Sequence, residues 1–156
     1  MPKITTFLTY DDQAEAAVKL YTSVFENSRV VSESRYGEGG PFPAGTLMSA
    51  SFELDGQPFL ALNGGPSFSF AQGFSLFIDC ETQDEIDYYW EKLSAPGTEG
   101  QCGWLVDPFG VSWQVIPRIL NELIGDPDRE KAGRAIQAML GMQKLVIADL
   151  QAAHRG

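Results

Sequence analysis

Polar and apolar residues alternate along ITTFLTY (4–10), and Thr with aromatics favours a pleated, half-buried surface, so this segment predicts a strand. Asp12 and Glu15 follow at capping-box spacing, with Asp standing where Ser or Thr is usual. Ala17, Val18, Tyr21, Val24 and Phe25 then recur at helical spacing and form one apolar face, which Asn27 and Ser28 close. VVSESRY (30–36) and LMSASFEL (47–54) alternate as strands on either side of a loop, 37–45, marked by Gly and Pro. Asp55-Gly56 is a two-residue hairpin signal leading into PFLALN (58–63). After the connector GGPSFSFAQG the pattern begins again. FSLFIDC (74–80) predicts a strand, Thr82 and Glu85 repeat the capping spacing, and Ile86, Tyr89, Trp90 and Leu93 share a helical face that Pro96-Gly97 ends. Two apolar runs then flank Asp107-Pro108-Phe109-Gly110, which makes GWLVDPFGVSWQVIP (103–117) a hairpin. Residues 97–102, where a further strand belongs, are few and Gly-rich.

The order of elements therefore predicts an α+β chain of two βαβββ modules, 1–66 and 67–117, followed by a helical tail, 118–156. In the tail, 118–125 reads as one or two helical turns, and Asp126-Pro127 as an N-cap with Pro at the first helical position. Ala132, Ile136, Met139, Leu140, Gln143, Val146, Ile147 and Leu150 then form one stripe, which has to be buried on its own domain or on a partner chain.

Charge and composition narrow the function. A net charge of -10 with no offsetting Lys/Arg cluster repels phosphate backbones, so nucleic acid is not an expected partner. No apolar run approaches the roughly 20 residues of a membrane span, and MPKITTFLTYDD has no apolar secretory core. Cys80 and Cys102 form no spacing motif, so the expectation is a cytoplasmic protein with two reduced thiols. The only histidine, His154, lies two residues before Gly156 and is expected to fray in solvent. That leaves Cys102 without an imidazole to activate it, and Cys80, ending an apolar strand, reads as a small buried hydrophobe. Gln114 is the residue that asks for an explanation: an uncharged amide among Val111, Trp113, Val115 and Ile116. Strand alternation puts Ser112, Gln114 and Ile116 on one face and Val111, Trp113 and Val115 on the other.

FLALNGGP, FIDCETQDEIDYYWEKL and QCGWLVDPFGVSWQVIP resemble the family labelled 3-demethylubiquinone-9 3-methyltransferase. The paired βαβββ order over residues 4–117 resembles the wider vicinal-oxygen-chelate superfamily of glyoxalase I, bleomycin-resistance proteins and extradiol dioxygenases. The resemblance implies curled mixed sheets around a half-open cavity, and a homodimer, the common assembly of the superfamily. In its metal-using members the ligands come from the first strand of each module and from the strand after a D-P-x-G turn. Those positions fall here on Ile4, Thr5 or Thr6, on Gly73, Phe74 or Ser75, and on Gln114, none of them a carboxylate or imidazole. No metal and no cofactor is therefore expected. Asp79 and Glu81 are the alternative carboxylate pair, read as solvated strand-end acids. The residues expected to meet a small-molecule ligand are Thr5, Phe7, Asn63, Phe74, Trp104, Ser112 and Gln114, with Asn63 also readable as an ordinary turn residue. Phe42, in the 37–45 loop, is a candidate lid. Three functions stand: a metal-independent protein that binds, or also converts, a partly aromatic metabolite; a sequestering dimer of the bleomycin-resistance kind; and an S-adenosylmethionine-dependent methyltransferase.

Overall fold

The computed structural model describes residues 3–156. The chain divides into two compact units, Met1–Ser69 and Phe70–Gly156. In the first, strands β1 (Thr6–Tyr10), β2 (Arg29–Arg35), β3 (Leu47–Leu54) and β4 (Gln57–Asn63) form a sheet in the order β1-β4-β3-β2, with helix α1 (Ala14–Val24) between β1 and β2. β1 runs parallel to β4, and the other pairs are antiparallel. Alternation turns Leu8, Tyr10, Ala50, Phe52, Phe59 and Ala61 inward, where they bury with Ala14, Ala17, Val18, Tyr21 and Val24 of α1. Each large side chain so buried contributes about 1.5–3 kcal/mol. The Asp55-Gly56 turn forms as expected, both residues at positive φ.

The cap of α1 is not the expected one. Gln13 is its N-cap residue and offers no side-chain hydrogen bond. Glu15 is instead paired with Arg35, which holds its carboxyl below the usual range. The orphan N–H of Ala14 is satisfied from far along the chain, by Asn63 Oδ1 at 2.8 Å.

The second unit repeats the plan. Strands β5 (Ser75–Cys80), β6 (Thr98–Glu99), β7 (Trp104–Val106) and β8 (Ser112–Pro117) pair in the order β5-β8-β7-β6, with α2 (Gln83–Ser94) after β5. Thr82 caps α2, its hydroxyl accepting the Glu85 N–H at 3.2 Å. Ile78, Cys80, Ile86, Trp90, Leu93, Leu105, Trp113 and Val115 are buried. Burial pushes the Cys80 thiol up to about 12, consistent with an inert core residue. β6 is only two residues long, as its Gly-rich sequence foretold.

The tail departs from expectation in three places. Its apolar stripe is broken into α4 (Arg129–Leu140) and α5 (Ile147–Arg155), preceded by the short α3 (Ile119–Ile124). Gly141 ends α4, and the chain turns back so that Leu145 and Leu150 bury with Ile116, Leu120, Leu123 and Ala135. The helix cap is Asp128 rather than Asp126, because the Asp128 carboxylate takes the N–H groups of Glu130 and Lys131. Asp126 accepts the Asp128 N–H at 2.8 Å and pairs through its other oxygen with His154 Nε2 at 2.8 Å. His154 therefore does not fray; its side chain is 16% exposed, and Arg134 donates to the carbonyls of Ala153 and His154, closing the end of α5. The tail is tied to its own unit. Cys102 and Gly103 N–H groups donate to Met142 O and Gln143 O, both at 2.8 Å, and the Gln83 amide bridges Leu145 O and Ile147 N. Among the described residues no helix is long and apolar enough to cross a membrane.

Candidate functional site

The β7–β8 hairpin is built around Asp107. Its Oδ1 accepts the N–H groups of Phe109 at 2.9 Å and Val111 at 3.1 Å, and its Oδ2 accepts the Trp113 indole N–H at 2.9 Å. Gly110, at φ +95°, makes the turn in a conformation that L side chains avoid. The resulting register sets Trp104 opposite Gln114, and the parallel β5–β8 pairing sets Phe77 on the other side of Gln114. Neighbours across strands on one face lie about 4.5–5.5 Å apart at Cβ. The sheet thus presents an amide with an aromatic ring on each flank. Gln114 Nε2 donates to Ser75 Oγ at 3.0 Å, two residues before Phe77 on β5 and on the same face, which fixes the amide plane.

This row floors a cleft of about 600 Å³ contained within the second unit. Ile116 extends the floor, while Leu120, Asn121 and Ile124 of α3 and Met139 of α4 form the opposing wall. Asp79, Arg118 and Cys102 stand at its edge. Asp79 and Glu81 are exposed, as strand-end acids are expected to be, and both pair with one cation: Arg118 Nη2 lies 2.7 Å from Asp79 Oδ2, and Arg118 Nη1 bonds Glu81. The two carboxylates, Asp79 first, raise the guanidinium's proton affinity further.

The expected ligand residues are distributed unequally. Trp104 and Gln114 line the cleft together. Phe7 lies in the first unit, 53% exposed, in a row with Leu60, Ser51 and Ser32 that borders a shallow depression of about 220 Å³. Thr5 precedes β1 and lines neither hollow. Phe74 precedes β5, is 55% exposed, and also lines neither. Ser112 shares the Gln114 face but is buried, its hydroxyl without a hydrogen-bond partner among the described residues. Asn63 is 1% exposed, with Nδ2 donating to Leu47 O at 3.0 Å and Oδ1 holding Ala14 N, so its amide ties β4 to β3 and α1. Phe42 packs on Tyr36 at 5.1 Å between ring centroids. Nothing local in the sequence singles out Phe77, or Leu120, Asn121, Ile124 and Met139 of the tail, as lining one cleft. Phe77 was legible as a strand residue, yet its place beside Gln114 depends on a strand register that no local pattern encodes.

The donor set does not fit a metal at the superfamily's positions. Gln114 is a neutral amide, the Thr, Phe and Ser side chains at the other expected positions are neutral, and the carboxylates of the second unit nearest Gln114 in the sheet are bonded to Arg118 or, for Asp107, to three N–H donors. Among the described residues no three His, Cys, Asp or Glu side chains gather as metal ligands. The one imidazole is paired in the tail with Asp126, leaving Cys102 without an imidazole base.

A family model described as 3-demethylubiquinone-9 3-methyltransferase matches residues 2–116. A Bacillus cereus protein of that description, also called PhnB protein, is 41% identical, and the match covers 74% of this chain and 99% of that one with a TM-score of 0.70. A Pseudomonas aeruginosa protein at 18% identity shares the fold, covering 75% of this chain and 98% of that one with a TM-score of 0.62. So does a fosfomycin resistance protein from Listeria monocytogenes, at 17% identity, 78% and 94% coverage and a TM-score of 0.54. No curated protein matches the chain.

Proposed function

The chain belongs to the 3-demethylubiquinone-9 3-methyltransferase family, and from that premise we propose that it binds a small, partly aromatic molecule without a metal, rather than transferring a methyl group. One observation carries this reading: the Phe77–Gln114–Trp104 row at the floor of the cleft. Two ring faces supply stacking surface, and the amide between them supplies hydrogen bonding to the ligand's edge. S-adenosylmethionine enzymes usually cradle their cofactor in a Gly-rich turn between a strand and a helix. Here the β1–α1 link is Asp11-Asp12-Gln13 and the β5–α2 link is Glu81-Thr82, both without glycine.

A direct test is calorimetry of the full chain with S-adenosylmethionine beside a thermal-shift screen of flat aromatic metabolites. The expected result is no detectable S-adenosylmethionine binding, and stabilisation by aromatic compounds that Phe77→Ala abolishes. Micromolar S-adenosylmethionine binding overturns the reading. Elemental analysis after purification without chelator is expected to find well under one equivalent of divalent metal, with the melting temperature unchanged by EDTA. A stoichiometric metal refutes metal independence. A homodimer is part of the same proposal, supported by the exposed Phe7 and Leu60 on the first sheet. Sedimentation equilibrium giving a monomer at micromolar concentration refutes that part.

A further inference from the structure

We propose that the tail helices and the ion-paired rim make this cleft selective for flat apolar molecules that carry no negative charge. The inference rests on the cleft being the ligand site proposed above. Its first support is where the opposing wall comes from. Leu120, Asn121, Ile124 and Met139 all lie beyond residue 116, where the family match ends. The match with the B. cereus relative takes in 99% of that chain and 74% of this one, so about a quarter of this chain has no counterpart there. The tail helices are docked in cis, through the Leu145–Leu150–Ile116 cluster and the bonds from Cys102, Gly103 and Gln83. A molecule lying on the aromatic–amide row therefore meets, on its second face, aliphatic groups and one amide that the shared part of the family does not supply. That wall favours an apolar body and offers a second neutral hydrogen-bonding group, Asn121.

The second support is the state of the one cationic side chain lining the cleft. Arg118 is bonded to both Asp79 and Glu81, so the rim holds two negative charges against one positive. An incoming carboxylate finds the guanidinium's donors already facing carboxylates, and it approaches a net negative edge. A neutral ligand meets no such penalty, and an ammonium group is attracted both to the rim and to the face of Trp104. The rim is exposed, so screening limits the effect to about three- to tenfold in affinity per unit of ligand charge.

The test uses the full-length chain and three naphthalenes of matched shape: 2-naphthylmethylamine, 2-naphthylmethanol and 2-naphthoate, titrated at low and at high salt. The amine and the alcohol are expected to bind, the amine more tightly, and naphthoate about tenfold or more weaker than the amine, with the gap closing as salt rises. Asp79→Asn with Glu81→Gln releases Arg118 and is expected to reverse the order, so that naphthoate binds best. Met139→Trp, which fills the cleft from the tail side, is expected to weaken all three by about tenfold or more. Equal affinities for the three probes, or an order unmoved by the double substitution, overturns the inference and leaves the cleft a ligand site. Indifference of all three probes to Met139→Trp places them outside the cleft and overturns the binding reading and the inference together. Failure of all three probes to bind at millimolar concentration overturns the binding reading and the inference with it.

Discussion

Replacing Asp107 with Asn tests how the hairpin that presents Gln114 is held. Asp107 is 3% exposed, and its two oxygens divide the work: one takes the turn N–H groups of Phe109 and Val111, the other takes the Trp113 indole. Asn keeps one oxygen but turns an N–H₂ group toward an N–H. Flipping the amide only moves the conflict to the two backbone donors. A hydrogen bond to a charged acceptor is worth about 1.5–3 kcal/mol net, and a buried donor left facing another donor costs about 1–3 kcal/mol. The expected loss is therefore about 3 kcal/mol. Trp113→Phe removes the indole N–H and with it the conflict. In that background Asp107→Asn is expected to cost about 1–2 kcal/mol less, a coupling that a double-mutant cycle isolates. All three tryptophans, Trp90, Trp104 and Trp113, lie in the second unit, so tryptophan emission during urea unfolding reports that unit alone. The slope of free energy against urea should not change. A loss under about 0.5 kcal/mol, or the same loss in both backgrounds, refutes the account of the turn.

Asn63→Ala is expected to destabilise the first unit by about 2–4 kcal/mol, because it strands the Ala14 N–H and the Leu47 carbonyl; urea unfolding followed by far-ultraviolet circular dichroism measures it. Gly103→Ala places a Cβ 2.9 Å from Val115 O and from Ile116 Cδ1 at a φ of +84°, so a melting temperature lowered by several degrees is expected, with faster hydrogen exchange in the 142–147 segment. Asp126 is held below its ordinary value of 3.8, first by the Asp128 N–H and then by His154. Its contribution is therefore complete above that ordinary value and lost as pH falls through the lowered one. Amide exchange in α5 should accelerate on acidification in that range, and Asp126→Asn should remove that acid dependence; an undiminished dependence in the variant sinks the argument.

What the sequence could convey was whatever its near neighbours decide. Alternation, the Asp55-Gly56 turn and the Thr82 cap each depend on residues within a few positions, and each element appears where its pattern lies. Asn63 was open to two readings because its partners are Ala14 and Leu47, and nothing in NGG announces an amide serving groups that distant in sequence. The tail misled for a related reason. Gly141 breaks the helix without interrupting the supply of apolar residues, so one continuous stripe and a folded-back pair look alike.

The choice between Phe74 and Phe77 shows what a site demands beyond this. Three residues apart in a strand, the two rings fall on opposite phases, so only one of them can share a face with Gln114. Analogy with the superfamily's ligand position drew attention to the start of the strand. The strand begins at Ser75, however, and its parallel register with β8 places Phe77 beside Gln114. A one-residue slip of β5 would remove that ring from the face and leave the amide flanked by Trp104 alone. The site therefore depends on register between strands distant in sequence and on a wall added after the shared region ends. That is why the family resemblance points to the position of Gln114 yet could not supply the residues that close around it.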